Sequence, residues 1–257
     1  MDLELEGGTA LVTASSRGIG RAVCQRLAEE GMNVFSGARS GDRKLEEYGK
    51  GRILPIFSDL ADFEATDSLV SRVAAEFGRL DVLVMNTPGP RIVPVLDTSW
   101  GDWKEAHDLL LRPVVQLALA GAKQMREQGS GTIVLLSSTW VRQPAPGGVL
   151  SSSYRSAASA MVKTLAAEVA SYGVRVIQVM PGATATDRMR NIVEAKAKAH
   201  RTSTDDEAAV VVRDIPLGRW AEAREIADVV AFLASPRAGF MTGVSVPVDG
   251  GAVRATY

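Results

Sequence analysis

Apolar positions along the chain alternate between two patterns. Short β-rich runs read as buried strands, and the stretches between them carry apolar residues at helical spacing. Thr9-Ala10-Leu11-Val12-Thr13 is the first such strand. Ile19, Val23 and Leu27 then mark a helix face, and Gly31 ends that helix. Asn33 to Gly37 predicts a second strand, and Ile53 to Phe57 a third, weakened by Pro55. Leu69, Val73 and Phe77 define the next helix, and Asp81 to Met85 a fourth strand. One long helix is predicted from Thr98 to Glu127, with a kink at Pro113. Thr132 to Leu136 is a fifth strand. A helix bearing Leu165 and Val169 starts near Ser151, and Val174 to Val179 is a sixth strand. Residues 187–214 are charged and helical in pattern, with no evident core face. Glu222 to Ala234 reads as a helix and Val244 to Val248 as a last strand.

Such βα alternation predicts a parallel sheet covered by helices on both faces. No linker, internal repeat or low-complexity tract interrupts it, so residues 1–257 read as one domain. In open parallel sheets ligands bind at the carboxyl ends of the strands. The two weakly patterned segments, 142–148 and 187–214, both follow strands at that end, and 187–214 is expected to form a substrate lid.

Composition narrows the chemistry. The 257 residues are 46% apolar and 23% charged, which fits an ordinary soluble chain able to build a core without cross-links. The net charge of -1 and the lack of a basic stripe argue against nucleic acid. A single cysteine, Cys24, excludes an internal disulfide, and with only His107 and His200 no metal centre is expected. No run is apolar enough to span a membrane. The acidic start Met1-Asp2-Leu3-Glu4 is unlike a signal peptide, so a cytoplasmic location is expected.

The chemistry begins at the loop Thr13-Ala14-Ser15-Ser16-Arg17-Gly18-Ile19-Gly20, which joins the first strand to the first helix. Backbone N–H groups and the helix dipole at such a turn favour a pyrophosphate. An acid at the end of the second strand would bind ribose hydroxyls and repel a 2′-phosphate. Here the strand ends Ser36-Gly37-Ala38-Arg39-Ser40, with no acid. Arg39, together with Arg17, is placed to pair with that phosphate, which predicts NADP(H) over NAD(H).

These residues resemble the short-chain dehydrogenase/reductase family, in particular its 3-oxoacyl-carrier-protein-reductase-like members, over nearly the whole chain. Thr13 to Gly20 matches the TGxxxGxG loop, with Ala14 in place of the first glycine. Asp59-Leu60 matches the pair whose Asp touches adenine, and Asn86 the second Asn of NNAG. Pro181-Gly182-Ala183-Thr184-Ala185-Thr186-Asp187 resembles the PGxxxTD turn beside the nicotinamide. Ile215 to Arg219 and Val248 to Gly251 resemble C-terminal signatures. The resemblance implies a single-domain, doubly wound Rossmann fold with a mainly seven-stranded parallel sheet. It also implies a homotetramer or homodimer built through the long helices, here around 103–127 and 151–172. The cofactor residues it implies, with the loop reading above, are Thr13, Ser15, Ser16, Arg17, Gly18, Ile19, Gly20, Arg39, Asp59, Leu60, Asn86, Arg155, Pro181, Gly182, Thr184 and Thr186.

The catalytic centre departs from the family pattern. The family uses a serine, the tyrosine and lysine of YxxxK, and often an asparagine on the preceding long helix. Tyr154 is followed four residues on by Ala158, so it begins no YxxxK. Lys163-Thr164-Leu165-Ala166 matches the K-[ST]-L-A that follows the motif, and counting back places Ser151 at the tyrosine and Arg155 at the lysine. The same count places Ser138 at the catalytic serine, and on the long helix counting from Trp103 or from Met125 gives Leu110 at the asparagine. Ser138, Ser151 and Arg155 are therefore the catalytic candidates. Arg155 keeps a positive charge but cannot titrate as lysine does, and Ser151 is a poor general acid.

Three readings remain open. The first is an NADP(H)-dependent reductase of a carbonyl or imine-like substrate with a rebuilt proton path. The second is a lyase or isomerase on the same fold. The third is an inactive subunit forming a heteromer with an active homologue. His107 on the long helix, and Trp140, Arg142 and the 144–148 loop after Ser138, are further candidates to line the cleft. Cys24 reads as buried and inert. Lys196, Lys198, His200 and Arg201 read as a solvated lid face or a patch for an anionic substrate.

Overall fold

The computed structural model describes residues 1–39 and 44–256. Among them, strands β1 (Thr9–Thr13), β2 (Asn33–Ala38), β3 (Glu46–Tyr48), β4 (Gly51–Phe57), β5 (Val82–Met85), β6 (Gly131–Leu136), β7 (Val174–Pro181) and β8 (Ser245–Val248) form one sheet in the order β3-β4-β2-β1-β5-β6-β7-β8. Seven of these strands run parallel, as the alternation predicts, and β3 pairs antiparallel with β4 at the edge. The Glu-Glu-Tyr run of β3 has no apolar alternation to read, and charged residues on a short edge strand discourage pairing with another sheet. Pro55 is tolerated in β4 because the β3 pairing, among the described residues, covers Gly51 to Ile53 and asks no ladder bond of Pro55.

The helices are α1 (Gly18–Glu29), α2 (Phe63–Asp67), α3 (Leu69–Phe77), α4 (Trp100–Leu110), α5 (Arg112–Gln128), α6 (Val149–Val169), α7 (Asp187–His200), α8 (Thr204–Arg213) and α9 (Ala223–Ala234). Alternate strand residues feed two cores. Ala10, Val12, Val34, Val84 and Val179 pack under α1 and α9, whereas Leu11, Phe35, Leu83, Met85 and Ile133 pack under α3, α5 and α6. The expected single helix from Thr98 to Glu127 is instead two. α4 stops at Leu110, and Pro113 lies in the first turn of α5, where its missing N–H breaks no helical bond. The helix expected near Ser151 begins two residues earlier, at Val149. Residues 187–214 fold as α7 and α8 packed against each other, with Val193 and Ala197 buried. No described helix is long and apolar enough to cross a membrane.

The strand order reverses between β1 and β5. That switch point opens a crevice at the carboxyl ends of the strands, where ligands of doubly wound sheets bind.

Candidate active site

The loop after β1 is clasped from the far side of the crevice. The Thr13 hydroxyl donates to the Asn86 carbonyl at 2.7 Å and accepts from the Asn86 N–H at 3.0 Å. The Asn86 Nδ2 donates to the Ala14 carbonyl at 3.0 Å. Ala14 has φ 47, a left-handed conformation that costs an L residue about 1–2 kcal/mol. Gly20 is required by close approach, since a Cβ there would lie 2.7 Å from the Ala14 carbonyl oxygen and 2.9 Å from Asn86 Nδ2. Arg17, the α1 N-cap residue, is extended and forms no side-chain cap, and the first turn of α1 holds no acid. The amides at this helix end thus remain open to an anion.

Loop residues differ in what they present. Ser16 and Arg17 are exposed, while Gly18 and Ile19 are half-buried. The Ser15 side chain faces inward, its hydroxyl donating to the Val12 carbonyl at 2.8 Å and lying 2.9 Å from Ser36 Oγ. Its backbone N–H donates to the Gly37 carbonyl at 3.1 Å, so Ser15 ties the loop to β2 from within and its hydroxyl is not turned to a ligand. Arg39 is exposed at the end of β2 and forms no hydrogen bond or ion pair among the described residues. Ser40 lies outside the described residues. Asp59 accepts the Ala61 N–H at 3.0 Å, and Leu60 is buried.

Beyond the switch point, Ser138 ends the turn after β6 and its Oγ accepts the Trp140 N–H at 3.2 Å. Ser151 and Arg155 lie one turn apart on the buried face of α6. Arg155 is 9% exposed. Its guanidinium donates to Ser151 Oγ at 3.3 Å, to the Leu136 carbonyl at 3.1 Å and to the Pro88 carbonyl at 3.5 Å. It therefore spans the floor of the cleft between the ends of β5 and β6. Burial, and secondarily the charge of Arg188, push its pKa down to about 10, so it stays cationic at neutral pH. No hydrogen bond joins Ser138 to Ser151. At the end of β7, the Gly182 N–H donates to Val248 O at 3.0 Å, and a Cβ on Gly182 would lie 2.8 Å from Asp249 Cα. The Thr184 hydroxyl donates to Gly182 O at 3.1 Å, and Thr186 caps α7. Pro181 is buried at the strand end.

Several candidates stand apart from this cleft. Tyr154 packs edge-on to Trp103 and to His107, each with 5.8 Å between ring centroids, in a small apolar cluster with Val93, Ala106 and Leu150. Desolvation raises its pKa, as for a packed phenol. His107 bonds Asp108 at 3.0 Å in the same seam. The 144–147 loop lines a cavity of about 340 Å³ with Val149, Ser152 and Ser156, on the flank of α6 rather than over Ser138. Cys24 is fully buried, and burial pushes its thiol up to about 11. On the 187–214 segment, His200 bonds the Glu207 carboxylate at 2.8 Å. Arg188 escaped sequence reasoning. It sits in a charged run whose spacing does not mark which arginine turns inward, yet it donates to Gly89 O at 3.1 Å and to Pro90 O at 2.8 Å.

A doubly wound sheet with a glycine loop at its switch point defines a dinucleotide-binding α/β protein. Residues 13–253 match the family model described as enoyl-(acyl carrier protein) reductase. The chain is 34% identical over 261 residues to 3-oxoacyl-[acyl-carrier-protein] reductase FabG of Escherichia coli, covering 97% of this chain and 98% of that protein. The Vibrio harveyi reductase of the same name is 32% identical over 255 residues, at 97% and 98% coverage. Among solved structures, L-sorbose reductase from Gluconobacter frateurii, complexed with NADPH and L-sorbose, superposes with a TM-score of 0.92. It is 29% identical, with coverage of 99% of this chain and 100% of that one. The chain belongs to the short-chain dehydrogenase/reductase family, among its 3-oxoacyl-carrier-protein-reductase-like members, and is an enzyme of the oxidoreductase class.

Proposed function

We propose that this enzyme is an NADP(H)-dependent reductase of a carbonyl or imine-like substrate, with Ser151 and Arg155 replacing the tyrosine and lysine of its family. The observation that carries the reading is a nucleotide loop clasped by Asn86 and open at the α1 N-terminus, beside a buried cation at the lysine position. The cradle fits a dinucleotide. Arg17 and Arg39 would meet the 2′-phosphate, the amides from Ser16 to Gly20 the pyrophosphate, with Ser15 holding the loop in place through Gly37, and Asp59-Leu60 the adenine. Pro181, Gly182, Thr184 and Thr186 would border the nicotinamide, and Arg155 would hold its ribose hydroxyls. Bound NADPH supplies the hydride.

The rest falls to this chain's own side chains. Ser138 polarises the acceptor oxygen or nitrogen. Arg155, cationic and shielded from water, stabilises negative charge that develops beside it. Ser151, already an acceptor for Arg155, relays a proton from water because its own hydroxyl is too weak an acid to supply one. An acceptor that is already charged, such as an iminium, relaxes that demand. Residues 187–214 act as the lid over the cleft. The helices around 103–127 and 151–172 join copies of the chain into a dimer or tetramer. Exposed Leu119 on α5 supports that assembly.

The test is NADPH and NADH titration of the full chain, followed by an unbiased panel of ketones, quinones and imines. Arg39→Ala is expected to weaken NADPH by about tenfold, or about 1.4 kcal/mol, with NADH little changed. Ser138→Ala is expected to cost about a hundredfold in kcat and Arg155→Ala to abolish turnover. An unchanged NADPH preference in Arg39→Ala refutes the phosphate assignment. Turnover with no change in NADPH absorbance would place the enzyme among lyases or isomerases.

A further inference from the structure

We propose that the acceptor reduced by this enzyme carries a carboxylate, and that Arg155 and Arg188 form the clamp that grips it. The inference rests on the reductase reading above and names its substrate class. Two arginines from different elements converge on one three-residue strip after β5. Arg155 of α6 reaches the Pro88 carbonyl at 3.5 Å. Arg188 of α7 reaches the next two carbonyls, Gly89 at 3.1 Å and Pro90 at 2.8 Å. The Arg188 guanidinium lies directly on Gly89, where a Cβ would sit 2.0 Å from its Cζ. The bare glycine backbone is what admits it.

Neither cation has an ion-pair partner among the described residues, although acids stand near. Asp102 is taken by Arg91 at 2.6 Å, and Asp187 by Arg190 at 3.0 Å. The two guanidiniums are thus satisfied by neutral oxygens alone and left without a countercharge. Like charges held together in a partly dry cleft repel, and a buried cation without a counterion is costly. Burial lowers the pKa of both, and for Arg155 the charge of Arg188 adds to the effect.

A carboxylate suits this gap. It offers four lone-pair sites to planar guanidinium forks that retain unused N–H groups, since Arg188 spends only Nη1 and Nη2 on the strip. Arg188 is solvent-accessible at the first turn of α7, so it meets an entering anion before the buried Arg155 does. Because α7 opens the lid segment, an anion bridging the two arginines would also draw the lid onto the cleft.

The experiment compares matched acids and methyl esters, benzoylformate with methyl benzoylformate and levulinate with methyl levulinate. Binding is read by calorimetry on the NADPH-loaded and cofactor-free full chain, and initial rates are followed for any pair that turns over. The acids are expected to bind more tightly by about tenfold or more. Arg188→Gln is expected to remove most of that preference, through KM rather than kcat where turnover is seen. Gly89→Ala, which displaces the Arg188 guanidinium without deleting its charge, is expected to act in the same direction. Esters that bind as well as acids overturn the proposal. So does an Arg188→Gln variant that loses NADPH affinity as strongly as acid affinity, which would make Arg188 a cofactor ligand. Failure of the wild-type chain to bind NADPH refutes the reductase reading instead, and the acid–ester comparison on the cofactor-free chain then decides the clamp separately.

Discussion

Arg155 tests whether a functional cation is held in this cleft against the stability of the fold. Arg155→Met keeps the length and apolar bulk of the side chain and deletes the charge. Burial pushes the guanidinium pKa down to about 10, which corresponds to about 3 kcal/mol of penalty on the charged form. Against this stand the three hydrogen bonds that methionine cannot make. Those to Ser151 at 3.3 Å and Pro88 at 3.5 Å are long, and the one to Leu136 O at 3.1 Å is the best formed. Losing them costs about 2 kcal/mol together. The variant should therefore be more stable by about 1 kcal/mol, or about 2–4 °C in Tm for a chain of this size, while turnover is lost. The guanidinium stays charged in the folded and the unfolded chain alike, so the fold carries this penalty throughout the working pH range. Urea unfolding of both proteins at neutral pH reads the difference. A variant less stable than wild type by about 2 kcal/mol or more would show that Arg155 is a structural pin.

Other substitutions separate further parts of the site. Ala14→Gly should stabilise the chain by about 0.5–1 kcal/mol, because glycine accepts φ 47 without a Cβ clash, partly offset by its greater freedom when unfolded; thermal melts with and without NADPH check it, and destabilisation would contradict the strain. Tyr154→Phe should leave kcat/KM within about twofold, since the ring packs against Trp103 and His107 away from Ser138, whereas Ser138→Ala should cost about a hundredfold in kcat. A large loss in Tyr154→Phe would return that phenol to the chemistry. Asn86→Ala removes the bond to the Ala14 carbonyl and should weaken NADPH by about tenfold in a fluorescence titration, at about 1–2 kcal/mol in stability.

Much of the fold is written in local pattern. Each parallel strand is a continuous apolar run because it is buried on both faces, and each covering helix shows its stripe, so β1, α1, β5 and β6 stand out by inspection. Ser151 and Arg155 could be placed by counting back from Lys163, because a helix fixes spacing. β3 could not, as three polar residues at a sheet edge bury no pattern.

What the chain alone determined is therefore the doubly wound sheet, the nucleotide loop, and the absence of a YxxxK motif. Tertiary structure decided which side chains meet. It turned the Ser15 hydroxyl inward, sent Tyr154 into a seam with Trp103, and stretched Arg155 across to carbonyls 19 and 67 residues away in sequence. It also brought Arg188 onto Gly89, 99 residues distant. The physical reason is that periodicity encodes only which face of an element is buried. The partner of a buried charge depends on which loops the sheet order sets side by side, and that order is a property of the whole chain.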